Sequence, residues 1–134
     1  MQVQTFVSLY LISIPLFLLC DLVWLGFIAK GFYKAQIGSL MGDVVWFAAI
    51  AFYAIFLVGL TFFASYPAAT KGTMYTALVL GGLFGFFTYA TYDLTNLAIL
   101  RSWPLPLTIV DILWGTFIGA FVAVMSVIIR NLLI

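Results

Sequence analysis

Thr88-Tyr89-Ala90-Thr91-Tyr92-Asp93-Leu94-Thr95-Asn96-Leu97-Ala98-Ile99-Leu100-Arg101-Ser102-Trp103 ends an apolar run that begins near Met74, and Pro104-Leu105-Pro106 follows at once. The run exceeds the ~20 helical residues needed to cross a hydrocarbon core. Asp93 therefore stands inside a membrane-spanning helix, with Tyr92 before it and Asn96 one turn after it. A carboxylate is costly in hydrocarbon, so an ionisable residue in a span is expected to face other helices and to mark a functional site. Arg101 to Pro106 predicts a tight hairpin, with Pro106 suited to the first turn of the helix beyond it.

The composition supports the same reading. Of 134 residues, 66% are hydrophobic and 7% are charged, against about 25% charged in a soluble domain. A small soluble fold has no core large enough to hide that excess, so the bilayer is expected to solvate most of it. The net charge of +1 excludes a basic surface for nucleic acid. With no His and a single Cys, Cys20, haem, zinc, iron–sulfur and disulfide chemistry fall away, as does a Ser-His-Asp or Cys-His mechanism. No cofactor and no metal site is expected; oxygen-ligated cations are the sole metal class that the composition would still allow. The start, Met-Gln-Val-Gln-Thr, lacks the positive region of a secretory signal. Leu19 before Cys20 is too large for a lipoprotein cleavage box, so the first apolar run reads as a permanent span.

Four runs are long enough to span, at about 6–29, 44–63, 74–100 and 107–129. Pro15 predicts a kink in the first. A short loop is expected from Gly31 to Gly42, with Phe32 and Tyr33 lying in the interface. Asp43 precedes the second run, where a carboxylate caps free backbone donors. Ser65-Tyr66-Pro67 and Lys71-Gly72-Thr73 read as the next turn, and Arg130 anchors the end of the fourth run. Connections this short predict antiparallel neighbours. The expectation is one domain over 1–134: an all-α, antiparallel four-helix bundle integral to the membrane.

Alternating direction puts the acids toward one membrane face. Asp21 lies roughly 13 Å before Lys30, Asp93 roughly 12 Å before Arg101 and Asp111 about 7 Å after Pro106, at 1.5 Å per residue. Three acids are thus expected to converge as an Asp21–Asp93–Asp111 cluster. Asp21-Leu-Val-Trp24, Asp43-Val-Val-Trp46 and Asp111-Ile-Leu-Trp114 share one spacing, and Asp93-Leu-Thr-Asn96 has an amide in place of the indole. Residues three apart share a helix face, so each indole N–H could donate across the bundle; a plain interfacial tryptophan belt is the alternative. Asp111, Gly115, Gly119 and Ala123 form a stripe of small residues that lets helices approach closely, and Gly82, Gly85, Tyr89, Asp93 and Asn96 form a comparable stripe. Tyr89, Tyr92, Asn96, Trp24, Trp114 and Arg101 complete the candidate ligand-binding set around the three acids.

Asp21-Leu-Val-Trp24-Leu-Gly26, Tyr92-Asp93-Leu-Thr-Asn96-Leu-Ala98, Trp103-Pro104 and Asp111-Ile-Leu-Trp114-Gly115 resemble the bacterial "domain of unknown function 2177" family of predicted membrane proteins. The resemblance covers nearly the whole chain. It implies a small four-span protein of the bacterial inner membrane and names no activity or catalytic residue.

The acids can equally form a purely structural network with Tyr89, Tyr92, Asn96 and Arg101; beside that, three functional readings stay open, and whether the chain is an enzyme is open with them. One is a pocket binding, or modifying, a membrane lipid or other small amphiphile. The second is an accessory subunit of a larger membrane complex, or a homo-oligomer. The third is a proton-coupled carrier. Lys30, Lys34 and Arg101 against Lys71 and Arg130 lean toward the acid-rich face being cytoplasmic.

Overall fold

A computed structural model describes residues 1–134. It is all-helical: α1 (Val3–Val23), α2 (Lys30–Ile37), α3 (Trp46–Leu60), α4 (Tyr66–Thr70), α5 (Met74–Ile99) and α6 (Leu105–Leu133). Two π-turns, Trp24–Ile28 and Thr61–Ser65, extend α1 and join α3 to α4. Four continuous helical stretches are long and apolar enough to cross a membrane: Val3–Ile28, Trp46–Thr70, Met74–Ile99 and Leu105–Leu133, with mean hydropathy between 1.3 and 2.3.

Side-chain pairs fix the helix directions. Arg130 donates to Thr5 and Ser8 at one end of α1, while Trp114 donates to Asp21 near the other, so α1 and α6 are antiparallel. Tyr53 reaches Asp21, and the Tyr66 hydroxyl accepts from the Gln2 backbone N–H, which makes the second span antiparallel to α1 as well. Gly81 faces Gly119 and Gly85 faces Gly115 between antiparallel α5 and α6.

That last pair is the tightest seam. A Cβ on Gly85 would lie 1.9 Å from the Gly115 carbonyl oxygen, and one on Gly81 would lie 2.5 Å from that of Gly119. Helices in lipid associate through close packing because hydrocarbon offers them no hydrophobic drive, and these glycines bring backbone against backbone. The predicted α6 stripe is the packed one: Asp111, Gly115, Gly119 and Ala123 are all buried. On α5, Gly85, Tyr89 and Asp93 of the expected stripe lie on the packed side, while the closest approach beyond Gly85 is at Gly81; a Cβ on Gly82, though buried, would find its first neighbour at 3.7 Å. The apolar core gathers Leu9, Phe17, Phe56, Leu60, Ile118 and Val122.

Three local expectations are corrected. Gly31 to Gly42 is not a loop: Lys30–Ile37 is helical and Gly38–Leu40 makes a 3-10 turn. Tyr33, Gln36 and Ile37 are half-buried there, while Lys30 and Lys34 are exposed, the one-sided spacing of a helix lying on a surface. Ser65-Tyr66-Pro67 does not end the second span; the π-turn passes the chain into α4, where Pro67 sits at the first turn and its missing N–H costs least. Asp43 does not cap α3, which starts at Trp46 with Val45 as its uncapped preceding residue. The Arg101–Pro104 turn and the start of α6 just before Pro106 agree with the sequence.

Candidate functional site

Asp21, Asp93 and Asp111 are all buried, at 7%, 0% and 8% exposure, although each lies in an apolar helix. Asp21 and Asp111 belong to one connected polar network, built from both ends of a stacked pair of indoles, and Asp93 lies beside Asp111. The Asp21 carboxyl accepts from the Tyr53 hydroxyl at 2.9 Å and from Trp114 Nε1 at 3.4 Å. Trp114 stacks on Trp24 with ring centroids 4.5 Å apart and planes 4° from parallel. Trp24 Nε1 donates to the Tyr33 hydroxyl at 3.3 Å, and that hydroxyl donates to Asp111.

The two Asp-x-x-Trp segments therefore exchange partners. Because α1 and α6 run in opposite directions, the indole three residues after each acid lies level with the other helix's acid. Trp114 meets Asp21 directly, and Trp24 meets Asp111 through Tyr33. The expectation of indole donation across the bundle holds for Trp114; for Trp24 the acceptor is a phenol that the sequence had placed in the interface.

Asp93 differs from its neighbours. Neither of its carboxyl oxygens accepts a hydrogen bond from an N–H or O–H group. Its close neighbour is the Asp111 carboxyl. Tyr89, half-buried, lies with its ring against Gly115, which has no side chain to obstruct it, and at 6.0 Å edge-on to Phe56. No three acids are grouped as ligands of a metal ion.

The rest of the predicted set sits at the rim. Tyr92 is 57% exposed and packs edge-on against Trp103 at 5.7 Å. Asn96 is half-buried one helical turn beyond Tyr92, and Arg101 is exposed in the turn before α6. None of these three joins the hydrogen-bonded network around Asp21 and Asp111.

Two members were missed. Tyr53 is the only polar side chain from Trp46 to Leu60, a signal that a hydroxyl at that depth must find a buried partner. Tyr33 could have been found from the Tyr33, Gln36 and Ile37 spacing of a surface helix. Burial first, and the Asp111 carboxylate second, push the Tyr33 phenol well above the usual tyrosine range, which keeps it a donor at neutral pH. Two surface hollows lie elsewhere, one at the opposite end of the bundle and one along the outer faces of α5 and α6.

No curated protein and no solved structure matches the chain. A family model described as "Predicted membrane protein (DUF2177)" matches residues 6–128. That match covers most of each of the four spans and includes Asp21, Asp93 and Asp111, so the chain belongs to the DUF2177 family of predicted membrane proteins.

Proposed function

We propose that this integral membrane protein binds a lipid or small amphiphile by a donor-bearing head, an amine or a hydroxyl, at Asp93 and Asp111. The observation that supports the reading is Asp93: a fully buried carboxyl that accepts no hydrogen bond from the protein. A buried polar group without a partner is costly, and an ammonium or hydroxyl would supply the donor that Asp93 lacks. The stacked Trp24 and Trp114 would form an apolar wall beside that head, with Asp21 on their far side. Placement in a bacterial cytoplasmic membrane, acids toward the cytoplasm, belongs to the same proposal and draws on the lysine and arginine distribution.

The test is titration of the detergent-solubilised protein with dodecylamine, and with 1-dodecanol as the hydroxyl counterpart, followed by indole fluorescence. The stacked pair beside the acids makes the fluorescence a local reporter. Saturable binding is expected, weakened about tenfold or more by Asp93→Asn or Asp111→Asn, the scale of a lost charge-assisted hydrogen bond. Asp43→Asn, which alters an exposed acid, should change nothing. Equal binding by wild type and Asp93→Asn would remove the proposal.

A second reading, an accessory subunit, draws on the first half of α3. Trp46, Phe47, Ile50, Phe52 and Ile55 are all exposed there, and an aromatic helix face of this kind suits a neighbouring membrane helix. Extraction in mild detergent as a monodisperse 14.8 kDa particle would count against it.

A further inference from the structure

The end of the bundle opposite the acids carries a second feature, independent of the carboxyl network. A hollow of about 780 Å³, open to the surface, lies between the start of α1 and the end of the second span, lined by Gln2, Phe62, Phe63, Tyr66, Thr70 and Lys71 among others. Its size falls within the ~300–1,000 Å³ of small-molecule sites. The Thr61–Ser65 π-turn shapes one wall. It sets Phe62 and Phe63 edge to face at 5.0 Å, both more than half exposed. Such turns recur at functional sites because the extra residue redirects side chains.

Charge distribution identifies the occupant. Asp21, Asp93 and Asp111 lie roughly 25–30 Å along the helices from this end, at 1.5 Å per residue, and Asp43 lies in the connection beyond α2. No Asp or Glu side chain is therefore near the hollow. Lys71 lines it, while the other basic side chain at this end, Arg130, is engaged by Thr5 and Ser8. A cationic rim above exposed phenylalanines matches a phosphate headgroup above acyl chains.

We propose that this hollow is a binding site for an anionic phospholipid, its phosphodiester held at Lys71 and its acyl chains lying on Phe62 and Phe63. The test is native mass spectrometry of the full chain from dodecyl maltoside after incubation with phosphatidylglycerol or phosphatidylcholine. Wild type should retain phosphatidylglycerol in preference. Lys71→Ala should lower that preference about fivefold, the scale of one lysine at an anionic lipid surface, and Lys71→Arg should keep it. Lys34→Ala, which removes an interfacial lysine at the other end, should leave it intact. Retention by Lys71→Ala equal to wild type, or an equal loss in Lys34→Ala, would overturn the proposal. Because the probes and variants differ from those at Asp93, either site can fail alone.

Discussion

Trp24 and Trp114 stack face to face across α1 and α6, with ring centroids 4.5 Å apart and an interplanar angle of 4°. Each indole follows an aspartate by three residues; the Trp114 N–H donates to Asp21 of the opposite helix, and the Trp24 N–H donates to Tyr33 of α2, whose hydroxyl donates to Asp111 of α6. The stack is thus the joint between two halves of the acid network. It holds the Trp114 indole where it donates to Asp21 and the Trp24 indole where it donates to the Tyr33 hydroxyl that serves Asp111.

The first prediction concerns that joint. Trp24→Phe and Trp114→Phe each keep an aromatic ring but remove one N–H and part of the overlap. A double-mutant cycle should give a coupling of about 0.5–1.5 kcal/mol, the range of stacked aromatic pairs. Denaturation in mixed micelles is the measurement. Strictly additive single effects would show that the two rings do not support each other.

The glycine seam gives a prediction with an internal control. Gly85→Ala would place a methyl 1.9 Å from the Gly115 carbonyl oxygen, and Gly119→Ala would place one 2.3 Å from that of Gly81. Backbone cannot yield as a flexible side chain can, so each substitution should cost about 1–3 kcal/mol or more by forcing α5 and α6 apart. Gly82→Ala, with its first neighbour at 3.7 Å, should stay within about 0.5 kcal/mol of wild type. Thermal unfolding of the three variants in one detergent would decide the matter. Equal tolerance of Gly82→Ala and Gly85→Ala would contradict the seam.

Helix direction and residue spacing were enough to bring Asp21, Asp93 and Asp111 to the same end of the bundle, because a span can bury an acid only against other helices. Spacing also read the α6 stripe correctly. On α5 it put Gly85, Tyr89 and Asp93 on the packed side but named Gly82 rather than Gly81, because the two are adjacent and a 3.6-residue period does not choose between them. The rim was less legible. Tyr92 and Arg101 are near Asp93 in sequence yet point outward, since their long side chains can reach the interface. Tyr33 and Tyr53 come from elements with no acid of their own, and nothing local to them names the partner they reach.

Tyr33 carries the last prediction. Its hydroxyl accepts from Trp24 and donates to Asp111, pinning α2 over the acids. Tyr33→Phe should leave both without that partner and loosen α2, seen as faster proteolysis within residues 30–40 and a stability loss of about 1–3 kcal/mol. The pH dependence follows from the raised phenol pKa. The stability it contributes is complete below the ordinary phenol range, near pH ~10, and falls above it as the unfolded chain releases a proton that the folded chain retains. Phenolate absorbance at alkaline pH makes this measurable. Folded wild type and Tyr33→Phe should develop the same amplitude up to about pH 11, because Tyr33 does not ionise in that window. A smaller amplitude in the variant would mean that Tyr33 is solvated and that α2 does not close over Asp111.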